Sequence, residues 1–240
     1  MPDGPGRGGG VDVRQENTAQ HDEHTSGGAR PIRVLIVDDH EVLAASLAHV
    51  LDNEPDMVSV GLARNLSQAR ARVATEAPDV LLLDRRLPDG DGVAAIPELR
   101  GLRPSMNVVV LTAAVADQVL VQAIEAGASG FVSKTRSLAE VTAAVRAAAA
   151  GEAVISPEML SRLLPKLSRT SGPEPELTRR EQEVLNMLAQ GLSNAAIAER
   201  LTVSVHTVRN HIANLSAKLG AHSKLEALSI AVRRGLIPEQ

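Results

Sequence analysis

The chain has 240 residues and a net charge of −4 at pH 7, with no cysteine, tryptophan or tyrosine and a single phenylalanine. The lack of cysteine excludes disulfides and thiolate chemistry and is compatible with a reducing compartment. No apolar run reaches the length of about 18 residues that a membrane helix needs, and the N-terminus shows no signal-peptide pattern. We therefore expect a cytoplasmic protein with no membrane partner.

Composition divides the chain into four segments. Residues 1–30 are rich in Gly, Asp, His and Ser and poor in aliphatic residues, which predicts a disordered tail. Residues 31–150 alternate apolar runs with helical patterns. Residues 151–175 are punctuated by glycine and proline, which is typical of a linker, and residues 157–167 within them predict a short helix. Residues 176–240 are helical throughout, so we expect two folded domains joined by a linker.

The first domain is predicted to be an α/β fold. Its five β–α repeats favour a doubly wound domain around a parallel, five-stranded sheet. Continuous aliphatic runs suit strands that are buried on both faces of such a sheet. We predict strands at residues 34–37, 57–62, 80–83, 108–111 and 130–132, and helices at residues 40–51, 67–76, 92–102, 117–126 and 137–150.

Polar side chains directly follow several of these strands. Asp38 and Asp39 follow the first, Asp84 the third and Thr112 the fourth, while Lys134 comes soon after the fifth. Ligands of doubly wound sheets bind at the carboxyl ends of the strands, so these side chains are expected to converge at one edge. Each acid alone is equally well explained as the end of a strand. All of them together favour a functional site.

The chemistry of these strand-end side chains suggests a role for each of them. Mg²⁺ prefers oxygen ligands and usually takes one or two carboxylates, so Asp39 and Asp84 are the candidate direct ligands, with Asp38 acting through water. A carboxylate can also attack phosphorus, and Asp84, alone at its strand end, is the expected nucleophile. Lys134 would neutralise phosphate charge and Thr112 would donate a hydrogen bond to a phosphate oxygen.

These motifs, in order and spacing, resemble the receiver domain of bacterial response regulators. The resemblance implies phosphorylation of Asp84 by a partner sensor histidine kinase. It also implies Mg²⁺ held by Asp39, Asp84 and the backbone carbonyl of Arg86, with Asp38 assisting. The matching segments are Asp38-Asp39 and residues 83–92, 111–113 and 130–134.

The resemblance further implies a switch pair, Thr112 and Phe131, in which the aromatic ring follows the threonine toward the phosphoryl group. Phe131 is the only aromatic residue of the chain, although packing in the core would also explain it. The side chain of Arg86, two residues after the acceptor, either pairs with the phosphoryl group or points to solvent. The sequence leaves these two alternatives open.

Helix-start signals divide the second domain into four helices. Thr178 and Glu181 form a capping-box pattern, and Asn194, Ser204 and Ser223 are predicted to cap the three helices that follow. Two capped helices joined by a tight turn are typical of a helix-turn-helix unit. These motifs resemble a NarL/LuxR-type helix-turn-helix domain. The matching residues are 177–185, 191–194, 197–198, 201, 204, 207–211, 218–220, 226–227 and 235–237.

The third helix of this domain, residues 205–219, is predicted to read DNA. Arg209 can pair with guanine and Asn210 with adenine in the major groove. Each candidate contact is also explained as an exposed helix residue. Val208, Ile212, Leu215 and Leu219 recur at helical spacing and should face the core. The further candidates for DNA contact are His206, Ala213, Arg200, Thr207 and Lys218.

Charge bears on how this domain binds DNA. Residues 174–240 contain eight Lys or Arg and seven Asp or Glu, so attraction to phosphate is weak. We therefore expect two copies on one duplex, with half-sites about one helical turn apart. The resemblance implies a two-component transcription factor that is not an enzyme, dimerises on activation, and docks its reading helix on the receiver before phosphorylation.

Two other functions compete with this interpretation. A phosphatase with an aspartyl intermediate also uses strand-end aspartates and a lysine, but Arg86 stands where a second, acid/base aspartate would be expected. An adaptor that acts only on protein partners would explain the near-neutral second domain. Loss of sequence-specific DNA retention on Arg209→Ala separates transcription factor from adaptor, and multiple turnover of a phosphoester identifies a phosphatase.

Overall fold

A computed structural model describes residues 30–113, 116–167 and 176–237. The predicted tail before residue 30 lies outside these ranges, as does the proline-containing end of the predicted linker. No helix in the described ranges combines the length and apolarity required to span a membrane.

The first domain is built on a parallel five-stranded sheet in the order β2-β1-β3-β6-β7. This order confirms the doubly wound prediction. The central strands are aliphatic and fully buried, because helices cover both faces of the sheet. The strands are β1 Ile32–Val37, β2 Met57–Ala63, β3 Val80–Asp84, β6 Asn107–Thr112 and β7 Gly130–Ser133, and a small antiparallel ribbon comprises β4 Arg86–Leu87 and β5 Gly90–Asp91.

Five helices flank this sheet in two layers. The first and last pack against one face, and the middle three pack against the other. Their buried residues recur at helical spacing, which is why the predicted helices lie within one or two residues of those observed. The helices are α1 Glu41–Asp52, α2 Leu66–Glu76, α3 Gly92–Leu102, α4 Asp117–Glu125 and α5 Leu138–Ala149.

The short linker helix ends earlier than its sequence pattern predicts. It runs as α6 over Pro157–Leu163 and continues as a 3₁₀ turn over Leu164–Lys166. Pro165 explains the change, since proline has no N–H to donate and its ring collides with the carbonyl one turn earlier.

Four helices form the second domain. The capping box predicted at Thr178 and Glu181 is present, and Ser204 and Ser223 cap their helices. The prediction that Asn194 caps the second helix is wrong, because the Ser193 hydroxyl accepts the capping hydrogen bond from the backbone N–H of residue 196 at 3.2 Å. The helices are α7 Arg179–Ala189, α8 Asn194–Leu201, α9 Val205–Leu219 and α10 Lys224–Arg233.

The two domains pack against each other. One apolar cluster runs from the α2–α3–α4 side of the sheet, through α6, into the core of the second domain. Within this arrangement α10 lies against α4, and Arg233 of α10 is 3.7 Å from Glu125 of α4. The docked arrangement places the second domain next to the helix that follows Thr112.

Candidate phosphoryl and nucleic-acid sites

The acidic side chains converge as predicted. Asp38 directly follows β1 and Asp84 ends the neighbouring strand β3, so parallel pairing brings both to one edge of the sheet. Ligand atoms of Asp38, Asp39, His40 and Asp84 all lie within 4.8 Å of one another. Asp38 and Asp84 are buried while Asp39 and His40 are exposed. The cluster is therefore open to solvent on one side.

Lys134 joins the cluster from the end of β7. Its ammonium nitrogen lies 2.7 Å from Asp38 Oδ2 and 2.8 Å from Asp84 Oδ2. Burial alone would lower the pKa of Lys134, but the hydrogen bonds to both carboxylates outweigh burial and raise that pKa. The side chain therefore stays cationic and holds the Asp84 carboxylate in place.

His40 was not foreseen as part of this cluster. Its Nδ1 is 3.0 Å from Asp38 Oδ1 and 2.9 Å from Asp39 Oδ1, and its backbone N–H donates to Asp38 Oδ1 at 2.9 Å. The sequence signal that could have indicated this role of His40 is its position directly after Asp38 and Asp39. The ring holds the two adjacent carboxylates together at the mouth of the site.

Thr112 and Phe131 occupy neighbouring strands. The Thr112 hydroxyl oxygen is buried and has no hydrogen-bond partner within the described ranges. A buried polar group without a partner costs about 1–3 kcal/mol, so this hydroxyl is suited to an incoming acceptor such as a phosphoryl oxygen. Phe131 is buried, and its ring lines a cleft together with Leu120 and Met159. Its surroundings therefore include α4 and α6.

The segment after Asp84 is tightly fixed. The Asp89 carboxylate accepts hydrogen bonds from the N–H groups of Leu66 and Ser67 at 2.8 and 3.0 Å. Arg85 pairs with Asp91 at 3.2 Å, while the Arg86 side chain is exposed on the ribbon. These contacts hold the backbone at residue 86 beside the acceptor, where its carbonyl was expected to serve as a ligand.

The donor set fits a hard divalent cation. Asp39 and Asp84 offer carboxylate oxygens near each other, and magnesium favours such ligands completed by water and phosphate. Asp38 is fully buried and contacts both Lys134 and His40, whereas Asp39 is exposed at the mouth of the site. Asp39 and Asp84 are therefore the residues that would hold the ion.

The reading helix presents the predicted polar face. His206, Arg209, Asn210 and Ala213 are exposed on α9. The residues predicted to face the core are all buried, which confirms the helical pattern of this segment. These core residues are Val208, Ile212, Leu215 and Leu219.

The three predicted phosphate contacts have different surroundings. Arg200 is exposed near the end of α8. Thr207 is half-buried, and its N–H donates to the Ser204 hydroxyl at 3.0 Å. The Lys218 ammonium lies 2.7 Å from Glu181 Oε2 and donates to the Glu176 carbonyl at 3.1 Å, so it already has partners inside the domain. DNA contact by all three stays a prediction.

The Glu181 carboxylate predicts an acid-sensitive second domain. Burial raises its pKa, but hydrogen bonds from Lys218 and the Thr178 N–H outweigh burial and hold the pKa below 4.5, its ordinary value. The ionised group thus stabilises the fold above that value, and the stabilisation is lost as pH falls through the lowered pKa. Glu181→Gln should cost about 2 kcal/mol at pH 7.

Urea unfolding followed by circular dichroism at pH 7 and pH 3.5 measures this difference. The difference in the free energy of unfolding between wild type and Glu181→Gln should be smaller at pH 3.5 than at pH 7. An equal difference at both pH values would contradict the role given to the ionised carboxylate. Glu199→Gln, at an exposed position of α8, is the matched control.

The reading helix also faces the receiver. A cleft of about 430 Å³ separates the domains, and Arg209, Ala213 and Ser216 line one side of it. The receiver contributes Ser129 and the residues that follow α5 to the other side. Two of the side chains predicted to contact DNA, Arg209 and Ala213, therefore line this cleft, whereas His206 and Asn210 lie outside it.

Comparisons with known families match each of the two domains. Residues 34–146 match the model of the response regulator receiver domain, and residues 175–231 match that of bacterial regulatory proteins of the luxR family. Together these two models cover most of the chain.

Curated relatives match this chain over most of its length. The DNA-binding transcriptional activator DevR/DosR of Mycobacterium tuberculosis is 36% identical over 203 residues, covering 83% of this chain and 94% of the relative. The response regulator protein VraR of Staphylococcus aureus is 32% identical over 206 residues, covering 86% of this chain and 99% of the relative.

Solved structures of response regulators share the fold of this chain. The RcsB response regulator of Salmonella typhimurium is 25% identical, with a TM-score of 0.51 over 83% of this chain and 97% of that one. A structure described as two RcsB dimers bound to two parallel DNAs gives a TM-score of 0.51 at 25% identity, covering 85% of this chain and 99% of that one.

Proposed function

Since the chain belongs to the NarL/LuxR-type response regulators, transcription regulators with a LuxR-type DNA-binding domain, we propose that phosphorylation of Asp84 controls its DNA binding. A sensor histidine kinase supplies the phosphoryl group. The observation that carries the proposal is the position of Lys134, which bridges Asp84 and Asp38 at 2.8 and 2.7 Å.

The chain's own residues account for the transfer. An Asp84 carboxylate oxygen attacks phosphorus, and the P–N bond to the kinase histidine breaks as the O–P bond forms. Lys134 neutralises charge on the phosphoryl oxygens, and the Thr112 hydroxyl donates a hydrogen bond to one of them. A divalent cation held by Asp39, Asp84 and the carbonyl of Arg86 supplies further charge neutralisation when bound.

The docked arrangement supports a resting state that is closed to DNA. Arg209 and Ala213 face the receiver across a cleft of about 430 Å³, which does not admit a duplex. Phosphorylation therefore acts by separating the domains. Arg209 and Ala213 then no longer face the receiver, and α9 can enter a major groove.

The near-neutral charge of the second domain favours DNA binding by a dimer. The second domain is close to neutral, with eight basic and seven acidic residues after residue 173, so one copy gains little from phosphate contacts. The RcsB relative, described as dimers bound to DNA, supports the same stoichiometry for this chain. Activation thus pairs two reading helices on two half-sites.

Selection from a random duplex library tests the proposal. Wild type with Mg²⁺ and beryllofluoride, a mimic of the aspartyl phosphate, should enrich a repeat with half-sites about one helical turn apart. Arg209→Ala should bind that repeat about tenfold to a hundredfold more weakly, because a bidentate contact with guanine contributes about 1–3 kcal/mol. Arg70→Ala, on the receiver surface, is the control. Failure to enrich any sequence would favour the adaptor.

A further inference from the structure

The segment that follows α5 lies along the edge of the sheet. Val154 pairs in parallel with Gly130 of β7. Its N–H donates to the Ser129 carbonyl at 3.0 Å, and its carbonyl accepts the N–H of Phe131 at 2.7 Å. We name residues 152–155 the strap. Through these bonds the strap is attached to the backbone of the aromatic residue expected to switch.

The strap lies so close to β7 that the facing residue must be glycine. A Cβ atom at Gly130 would lie 2.2 Å from the Val154 carbonyl oxygen and 2.6 Å from the Val154 Cα. On the ring side, Phe131 lines a cleft together with Ile155 of the strap and Met159 of α6. A displacement of Phe131, in its backbone or its ring, is therefore transmitted directly to the strap.

The other end of the strap carries a carboxylate that reaches the second domain. Glu152 Oε2 lies 2.7 Å from the ammonium of Lys224, and Oε1 accepts the backbone N–H of Asn194 at 3.0 Å. The Lys224 ammonium also donates to Asn194 Oδ1 at 3.1 Å. We name these three residues the clasp. A receiver-side carboxylate thus contacts the first residues of both α8 and α10.

The clasp contains a charge that depends on docking. Lys224 is only 8% exposed, and Glu152 is its one ion-pair partner within the described ranges. Burial lowers the pKa of Lys224, while the hydrogen bond and charge of Glu152 oppose this effect. Removal of one partner from a buried ion pair leaves an uncompensated charge, which destabilises the docked arrangement specifically.

Other polar contacts between the domains do not involve the strap. Arg100 of α3 donates to the His222 carbonyl at 2.6 Å, and the Ser223 hydroxyl donates to the Ala128 carbonyl at 3.0 Å. These contacts align the turn before α10 with the receiver. These two contacts carry no ion pair. Arg233 of α10 and Glu125 of α4 form a longer ion pair between the domains, at 3.7 Å. None of the three contacts involves a residue of β7, so the clasp is the polar contact that a shift of the switch strand can reach through the strap.

We propose that the strap couples the phosphorylation switch to domain separation. Movement at Phe131 shifts Val154, draws Glu152 away from Lys224, and leaves a buried ammonium whose hydration requires the domains to part. The coupling rests on the proposed phosphorylation of Asp84. The clasp itself can be tested without it.

Interdomain distances measure the opening directly. The chain has no cysteine, so Thr75→Cys in α2 and Ala217→Cys in α9, both exposed, accept one spin label each. Double electron–electron resonance should give a single docked distance for the labelled wild type. Glu152→Gln should raise the separated population at least about tenfold without any phosphoryl mimic. Glu158→Gln, an exposed position of α6, is the matched control and should leave the distance unchanged.

Gly130→Ala tests the attachment of the strap to β7. The added methyl group collides with Val154, so the separated population should rise, and beryllofluoride should then add little to it. Gly101→Ala is the control, because a Cβ there meets nothing within 4 Å. Circular dichroism of both variants reports whether the sheet is retained. A retained sheet with wild-type response to beryllofluoride would overturn the role of the strap.

The same experiment distinguishes failure of the clasp from failure of the proposed phosphorylation switch. If beryllofluoride opens the wild type while Glu152→Gln stays docked, the clasp is overturned and the proposed function stands. If beryllofluoride leaves the wild-type distance unchanged while Glu152→Gln opens the protein, the phosphorylation switch is overturned and the clasp stands.

Discussion

Lys134→Ala is expected to slow phosphoryl transfer to Asp84 by about a hundredfold or more, since removal of one charge-stabilising donor typically costs that factor. Its ammonium is within 2.8 Å of both Asp38 and Asp84 and remains charged because those carboxylates raise its pKa. Without it, the acceptor carboxylate loses its cationic partner and the transferring group loses its charge neutralisation.

Intact-mass spectrometry with acetyl phosphate as the donor follows the rate, because each transfer adds one phosphoryl group to the chain. Lys166→Ala removes an equal charge from the α6 region, where it pairs with Asp117, and should leave the rate near that of wild type. A Lys134→Ala rate within about a factor of two of wild type would refute the role assigned to this lysine.

Gly92→Ala is expected to destabilise the receiver by about 3 kcal/mol and to disturb the acceptor. A Cβ at this position would lie 2.1 Å from the backbone carbonyl oxygen of Asp84. The three nearest atoms, the carbonyl oxygen and carbon of Asp84 and the Cα of Arg85, all belong to the backbone, so no side-chain rotation relieves the collision. The Asp84 strand end or the start of α3 must therefore move.

The same helix provides the control for this prediction. Gly101→Ala in α3 meets nothing within 4 Å and should stabilise the protein slightly, as alanine usually does in a helix. Urea unfolding monitored by circular dichroism compares the two variants. Equal stabilities would show that the backbone at residue 84 can yield at little cost, contrary to the prediction.

Much of the receiver site could be predicted because strand ends determine it. Aliphatic runs mark buried strands, parallel strands align their carboxyl ends, and Asp38, Asp84 and Lys134 follow such runs. Short-range sequence patterns likewise predicted the capping box at Thr178 and the buried face of α9. Patterns that act within a few residues are readable in one sequence.

Contacts between distant segments were not predictable. Glu152 and Lys224 are 72 residues apart, and neither differs in the sequence from an ordinary surface charge. The Ser193–Asn194 pair shows a related limit, since both residues are good caps and only the tertiary position of Lys224 assigns Asn194 to the interior. The strap was missed because one pairing on a sheet edge leaves no periodic pattern.

Sedimentation velocity, with and without Mg²⁺ and beryllofluoride, tests whether phosphorylation of Asp84 triggers dimerisation. Interference optics are needed because the chain has no tryptophan or tyrosine. We predict that wild type shifts from the mass of one chain to that of two when both reagents are present, and that Asp84→Ala stays at one. A wild type whose mass does not respond, or an equal shift in Asp84→Ala, would contradict phosphorylation of Asp84 as the trigger for assembly.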